Sequence, residues 1–268
     1  MEDNKWGDIM NRNLLRPLLL TAAMVLLNGC GGGGGSGISV AVDTSPGGVF
    51  SADTTTVTPK LALITEAGAG WLYDESTHRG FAFTLDVAHA ISQSDGTTQL
   101  SGTITAYDET SGAPVSTGTL QATVKGHAGP LTLSYALANS TSGSYTLSYE
   151  SVLYEQPSGL SFVVGSYTPS ASGATGGSAQ LTSVTISGTG GFAASDTAGC
   201  SYAGTIAAVS SVYNAYQLSG ISQTGTGCSA TGLGGQAVVI PATATVAQQL
   251  TLSIANASQQ LAATLTRH

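Results

Sequence analysis

The sequence predicts an all-β protein in which antiparallel strands close into an up-and-down β-barrel, with a β-sandwich as the alternative. From Lys60 onward, apolar side chains recur at every second position, which is the period of a strand with one buried face. Clusters of Gly, Ser, Asn and Asp separate these runs, and no segment keeps the 3.6-residue period of a helix. Hydrophobic residues make up 41% of the chain, which is too many for a disordered protein.

The predicted strands follow one another with short connections, which favours antiparallel neighbours. The clearest alternating runs are residues 81–87, 131–137, 145–149, 250–254 and 261–265. Weaker runs cover residues 100–107, 120–124, 160–167, 181–186, 202–209, 216–221 and 236–240. A long meander is stabilised most easily by closing on itself, because closure removes the free sheet edges. We therefore expect one antiparallel β-barrel domain over residues 60–268.

Residues 1–29 have the features of an export signal. Arg12 and Arg16 precede an apolar stretch over residues 18–27, which is too short to span a membrane as a helix. Residues 27–30 read Leu-Asn-Gly-Cys and resemble the lipobox of bacterial lipoproteins. The resemblance implies a signal helix removed before Cys30, whose thiol and new amine then carry acyl chains such as palmitate. An ordinary signal peptide with a chance cysteine, or a short amphipathic helix, is the alternative.

The acyl chains on Cys30 would anchor the protein to a membrane. One chain binds a bilayer only marginally, whereas two or three anchor stably, since each buried CH₂ contributes about 0.8 kcal/mol. Gly31 follows the cysteine, a position where Asp would favour the inner membrane, so we expect the outer membrane. Residues 30–59 are rich in Gly, Ser and Thr and are expected to form a flexible tether. Acidic residues before Met10 fit a signal badly, which favours translation from Met10 over Met1.

The charge of the chain excludes one class of partner. The formal net charge is −8, and only 8% of the residues are charged. Nucleic-acid binding needs a basic patch that displaces counterions from phosphates, and no such patch exists in this sequence. The expected contact with the membrane is therefore the lipid on Cys30 alone.

Two cysteines remain after Cys30 is assigned to the lipid. In an exported protein, Cys200 and Cys228 are expected to form a disulfide, because the compartment outside the cytoplasm is oxidising. The chain-entropy model gives such a bond about 3–4 kcal/mol of stabilisation. A reactive or metal-binding pair is the alternative, although neither a C-x-x-C spacing nor a nearby His accompanies these residues.

The region around the two cysteines carries a family resemblance of about 40 residues. The matching motifs are residues 199–206 (Gly-Cys-Ser-Tyr-Ala-Gly-Thr-Ile), 213–218 (Tyr-Asn-Ala-Tyr-Gln-Leu), 227–228 (Gly-Cys) and 234–237 (Gly-Gly-Gln-Ala). They resemble the C-terminal half of small Gram-negative outer-membrane lipoproteins with a transferrin-binding-protein-like or lipocalin-like β-barrel. The resemblance implies an anchored barrel and carries over no functional residue.

The sequence contains no recognisable catalytic or metal-binding constellation, and we expect no cofactor. The four His residues lack metal-ligand spacing, and no G-x-S-x-G nucleophile elbow occurs. Trp71, Tyr73, Phe81 and Phe83 form the densest aromatic cluster, which would either pack the core or line a cavity for a small apolar ligand. We therefore expect a non-enzymatic envelope lipoprotein that binds a small apolar ligand or a protein partner. A structural or surface-coat lipoprotein without a specific ligand is the alternative.

Overall fold

The computed structural model of the chain describes residues 45–52, 60–74, 79–108, 111–126, 128–169 and 181–268. These residues belong to one compact unit, Ala41–His268. They form seventeen antiparallel strands and three short helical turns. The strands are arranged in two eight-stranded barrels that follow one another along the chain.

The first barrel is an antiparallel up-and-down barrel. Its strands are β1 (Gly48–Ser51), β2 (Lys60–Ile64), β3 (Ala69–Asp74), β4 (Arg79–Leu85), β5 (Ile91–Ser92), β6 (Thr97–Asp108), β7 (Pro114–Lys125), β8 (Leu131–Leu137) and β9 (Ser142–Tyr149). Each strand pairs with its neighbour in the chain, except that β4 pairs directly with β6 and the two-residue strand β5 pairs with β6 beside the barrel. The pairing of β1 with β9 closes the barrel.

The second barrel is formed by eight consecutive antiparallel strands. Its strands are β10 (Gly165–Pro169), β11 (Leu181–Ile186), β12 (Gly191–Asp196), β13 (Ser201–Ala208), β14 (Tyr216–Thr224), β15 (Leu233–Ile240), β16 (Gln249–Ala255) and β17 (Gln260–Arg267). The pairing of β10 with β17 closes the barrel and places Tyr167 opposite Arg267.

Two single-turn helices connect the barrels, and a third turn lies within the first barrel. Helix α1 covers Ser151–Tyr154 and helix α2 covers Leu160–Val163, while Val87–His89 forms a 3₁₀ turn before β5. Among the described residues, no helix is long and apolar enough to cross a membrane.

The alternation of side chains along the strands sets the inner and outer faces of each barrel. In β4, Phe81, Phe83 and Leu85 point inward and are buried, whereas Thr84 on the outer face is exposed. Strand β16 repeats the pattern, with Leu250, Leu252 and Ile254 inside the second barrel. Each barrel therefore has its own hydrophobic core.

The prediction of an all-β, antiparallel up-and-down barrel is confirmed, but the chain forms two barrels where we expected one over residues 60–268. The physical reason is the width of a closed sheet. Eight strands enclose an interior that side chains can fill, whereas a single barrel of sixteen strands would leave an open channel. Period-2 alternation identifies buried faces and gives no information about where the sheet closes.

The first barrel also begins earlier than the expected tether allows. Strand β1 lies within residues 30–59, and its Val49 and Phe50 are fully buried. Strand β1 has four residues, which is too short for an alternating pattern to be recognised in the sequence. The signal peptide over residues 1–29 and the lipidated Cys30 lie outside the described residues.

Candidate functional site

In the part of the chain that the structure describes, side chains pack the interiors of both barrels. Phe81 and Leu131 in the first barrel and Leu218 and Leu252 in the second have no exposed surface. A side chain that borders a cavity large enough for water exposes surface to it, so this burial indicates direct packing in the described interior. The candidate site therefore has to be sought on the outer faces of the barrels.

The four aromatic residues singled out in the sequence lie on two different faces of the first barrel. Phe81 and Phe83 on β4 point into its core, while Trp71 and Tyr73 on β3 point outward. Strand pairing places Trp71 opposite Ala82 and Leu72 opposite Phe81, so the two pairs of rings are on opposite sides of the sheet. The structure does not bring the four rings into one ligand-lining cluster.

The outward-facing Trp71 belongs to a small hydrophobic cluster between the barrels, which we call the apolar seam. The seam combines side chains from β1, β2 and β3 with others from α1, the segment before β14, and β15. Its buried members are Val49, Leu63, Trp71, Tyr154, Ala215 and Val238. The seam could not be predicted from the sequence, because its residues lie on the outer faces of two barrels and only one barrel was expected. These faces are buried where the two barrels pack against each other.

The side chain of Asn214 forms hydrogen bonds at the seam. Its amide nitrogen donates to the carbonyl oxygens of Leu153 and Val239, at 2.8 and 2.6 Å, and its amide oxygen accepts from the Val239 backbone N–H at 3.1 Å. The side chain is 3% exposed, and it links α1 to β15. Asn214 is one of the residues in the family-like motif, and its role is to join the linker to the second barrel.

A second contact between the barrels is polar, and we call it the polar clasp. The Gln260 backbone N–H donates to the carbonyl oxygen of Gly112 at 2.8 Å, and the Tyr107 hydroxyl donates to the carbonyl oxygen of Asn256 at 2.7 Å. A Cβ on Gly112 would lie 2.7 Å from the carbonyl oxygen of Gln260, and the φ of this residue is +66°, so glycine is required for this approach. The clasp sits on β6 and the turn after it on one side, and on the β16–β17 hairpin on the other.

A groove of about 360 Å³ runs between the outer faces of the two barrels, bordered by residues of the seam and of the clasp. One wall is formed by β3, β4 and β6 and the other by β14, β15 and β16. The seventeen residues that line it are Ala69, Gly70, Trp71, Ala82, Phe83, Thr84, Thr103, Thr105, Tyr107, Gln217, Gly232, Gly234, Gly235, Gln236, Ser253, Ala255 and Asn256. None of these described lining residues is ionisable at neutral pH, so the described part of the lining is polar and uncharged.

Strand pairing arranges the polar groups of the groove in rows. Thr84 lies opposite Thr103 on the first wall. On the second wall Gln217 lies opposite Gln236, which in turn lies opposite Ser253. Small residues stand between these rows, among them Ala82 on the first wall and Gly234 and Ala255 on the second, so the polar side chains are not covered by bulky neighbours.

Two polar groups at the groove make no hydrogen bond within the described part of the chain, and they differ in accessibility. The indole N–H of Trp71 is buried, in a residue that is 2% exposed. The residue Gln236 is 9% exposed, and its side-chain amide is not among the fully buried groups. The Gln236 amide is therefore the one of the two that a ligand in the groove can reach.

Three tyrosines and two carboxylates gather beside the seam. The Tyr154 hydroxyl donates to Oε1 of Glu66 at 2.9 Å, and the Tyr149 hydroxyl donates to Oε1 of Glu155 at 3.2 Å. The Tyr154 and Tyr213 rings stack at 4.8 Å. Burial, and then the charge of Glu66, raise the pKa of Tyr154 above its usual value. These contacts fix α1 against the first barrel, and their hydroxyl groups are already used.

The Cys200–Cys228 disulfide is confirmed. The bond joins the turn before β13 to the loop between β14 and β15 at one end of the second barrel. Beside it, the buried Asp196 accepts hydrogen bonds from the Cys200 backbone N–H and the Tyr202 hydroxyl, at 2.8 and 2.7 Å. The described residues contain no group of three His, Cys, Asp or Glu side chains that could hold a metal ion.

Comparison of the chain with known protein families, with curated proteins and with solved structures finds no match.

Proposed function

We propose that the protein is a lipid-anchored, non-enzymatic binding protein of the outer membrane that holds its ligand in the groove between its two barrels. The Leu-Asn-Gly-Cys sequence ending at Cys30, followed by Gly31, supports the anchor and its location. The two packed barrels then act as a rigid support for the binding surface. Neither a cofactor nor a nucleic acid is part of this function.

The observation that carries the proposal is the groove itself, whose described lining offers hydrogen-bonding side chains such as the Gln236 amide, which has no partner among the described residues. The expected small apolar ligand would have been held inside a hollow barrel, and the packed interiors argue for an external site instead. A protein of the envelope is the other partner that this surface could accept. A coat lipoprotein without a ligand would have no use for an open polar groove.

The anchor is tested by labelling cells with a clickable palmitate analogue. We expect label on the wild-type chain in the outer-membrane fraction and none on Cys30→Ser, which should accumulate with its signal uncleaved. Label on the Cys30→Ser chain would contradict the anchor.

Binding is tested by native mass spectrometry of the chain purified from the envelope of its expressing cells. A bound mass that is lost on denaturation supports the proposal. A bare chain in repeated preparations would overturn it and would leave the coat lipoprotein as the better account.

A further inference from the structure

We infer that the groove between the barrels recognises an uncharged oligosaccharide; the inference rests on the proposed function and specifies its ligand. Four features of the groove carry it: its lack of charge, its hydrogen-bonding groups, its closed strands and its extent.

The absence of charge from the described lining disfavours a charged ligand. Transfer of an ion from water into a groove without a counter-charge carries a desolvation cost, and no described lining residue supplies such a charge. Sialylated, sulfated and phosphorylated glycans are therefore expected to bind less well than neutral ones, as are nucleic acids and anionic lipids.

The polar side chains of the lining offer hydrogen-bond donors and acceptors side by side. Each threonine hydroxyl and the Gln236 amide can do both, and the Trp71 indole N–H can only donate. A hydrocarbon ligand would cover the Gln236 amide and the threonine hydroxyls of the groove without pairing them, at a cost of about 1–3 kcal/mol for each group that it buries. Sugar hydroxyl groups, which both donate and accept, match this mixture.

The closed barrels exclude an extended peptide bound by strand addition. All six strands that border the groove, β3, β4, β6, β14, β15 and β16, are paired on both sides. A peptide bound in that way needs a free sheet edge for its main-chain hydrogen bonds. A ligand in the groove would therefore contact side chains and the surfaces of small residues such as Ala82 and Gly234, rather than pair with the strand backbones.

The extent of the polar surface indicates a chain of sugars rather than one. The groove meets a second uncharged recess of about 370 Å³ at Asn256, a residue that lines both. That recess is lined by Gln223, Gly227, Ser229, Ala230, Thr231, Asn256, Ser258 and Gln259. The buried amide nitrogen of Gln259 has no hydrogen-bond partner in the described part of the chain. A linear oligosaccharide that crosses Asn256 would contact hydrogen-bonding side chains of both the groove and the second recess.

Trp71 provides a direct reporter for the test. The sequence has two tryptophans, and Trp6 lies in the signal peptide whose removal the proposed function requires, so the mature chain keeps Trp71 as its one indole. This chain is purified from the envelope in a polyoxyethylene detergent, since sugar-headed detergents would compete. It is then titrated with chitotetraose, with maltotetraose and with sialyllactose as the charged comparison, while Trp71 fluorescence and its indole N–H resonance are followed.

We expect at least one of the two neutral tetrasaccharides to shift both Trp71 signals saturably, and sialyllactose to leave them unchanged. Binding to chitotetraose alone would assign the site to acetamido sugars, and binding to maltotetraose would assign it to plain hexoses. The inference is overturned if neither neutral sugar shifts the signals at millimolar concentration, or if sialyllactose binds as well as they do.

Two groove variants and two matched controls locate the binding. Gln236→Leu should weaken binding about tenfold through the lost amide. Gly234→Leu should abolish it, because a Cβ at Gly234 is in ordinary contact with one carbonyl oxygen only and the added side chain enters the groove. The controls are Gln121→Leu on the exposed outer face of β7 and Gly188→Leu in an open turn. Equal binding by all four variants would contradict the site.

Failure of this inference can be told apart from failure of the proposed function. If native mass spectrometry finds a bound molecule that is not a sugar, and no sugar shifts the Trp71 signals, the oligosaccharide is rejected and the binding function stands. If no bound molecule is found and no sugar binds, both are rejected.

Discussion

Asp196 is a buried carboxylate whose hydrogen-bond donors among the described residues are a hydroxyl and a backbone amide. The residue is 6% exposed and accepts hydrogen bonds from the Tyr202 hydroxyl and the Cys200 N–H, while the amide of Gln223 donates to that hydroxyl at 2.9 Å. Burial, followed by the hydrogen bond to Asp196, raises the pKa of Tyr202 above its usual value, which keeps the hydroxyl protonated as a donor. The network ties the end of β12 to β13 beside the disulfide.

The substitution Tyr202→Phe should therefore lower the free energy of unfolding by about 1–3 kcal/mol, because it leaves a buried carboxylate short of a donor. Urea denaturation of the full chain measures the change. Tyr167→Phe is the matched control, since the Tyr167 hydroxyl donates to the neutral carbonyl oxygen of Val163 at 2.7 Å. A smaller loss in Tyr202→Phe than in Tyr167→Phe would contradict this reading of Asp196.

Strands β1 and β5 are both short, but they differ in what they do for the first barrel. Strand β1 pairs with β2 and β9 and so closes the barrel, with Phe50 fully buried in its core. Strand β5 pairs only with β6, and its Ile91 is 59% exposed. The length of a strand is therefore a poor guide to its contribution.

Replacing Phe50 by Ala should cost about 3–5 kcal/mol of stability, since it removes a large buried ring. Replacing Ile91 by Ala should change stability by no more than about 0.5 kcal/mol. Thermal and urea denaturation of both variants measure the difference. Similar losses in the two variants would contradict the assignment of β1 as the closing strand.

The disulfide acts on the unfolded chain by closing a loop with a sequence separation of 28 residues. Cys200→Ser/Cys228→Ser should lower the free energy of unfolding by about 3–4 kcal/mol if the loop-entropy model holds. The reduced wild-type chain should behave like the double variant. A variant as stable as the oxidised wild type would show that the bond is not structural.

Most of the strands could be predicted from the sequence, and the exceptions have physical reasons. Residues 160–167 were expected as one strand, but residues 160–163 form α2 and β10 begins at Gly165. Strand β15 begins at Leu233 rather than at Gln236, because Gly234 and Gly235 carry no side chains and show no alternation. A Cβ on Gly235 would lie 1.8 Å from the carbonyl oxygen of Ser253, so a side chain does not fit there. Both glycines line the groove. The disulfide could be predicted because it depends on cysteine count and compartment alone.

At the scale of the whole molecule, the decisive event is the pairing of two barrels. An apolar seam and a polar clasp hold the outer faces together, and the groove is bordered by residues of both. No single strand contains the groove, so its lining could not be predicted from the pattern of one strand. Of the four aromatic residues named from the sequence, Trp71 and Phe83 are among those that line it.

Burial of tyrosines also predicts how the whole fold responds to base. Desolvation is the largest cause that raises the pKa of Tyr107, Tyr145, Tyr149, Tyr154, Tyr167, Tyr202 and Tyr216 above 10. Above pH 10 the unfolded chain loses these protons while the folded chain keeps them, so stability falls as the pH rises. Urea midpoints should be constant below pH 9 and fall steeply above pH 10, and a flat profile would contradict the burial of these hydroxyl groups.

The most direct test of the groove as a binding site is photo-cross-linking in living cells. A benzophenone amino acid is placed at Thr103, an exposed position in the groove, and in a second chain at Gln121 on the outer face of β7. We predict an adduct from position 103 that is absent from position 121 and that disappears when Gly234→Leu fills the groove. Equal adducts from both positions, or an adduct at position 103 that survives Gly234→Leu, would contradict the account.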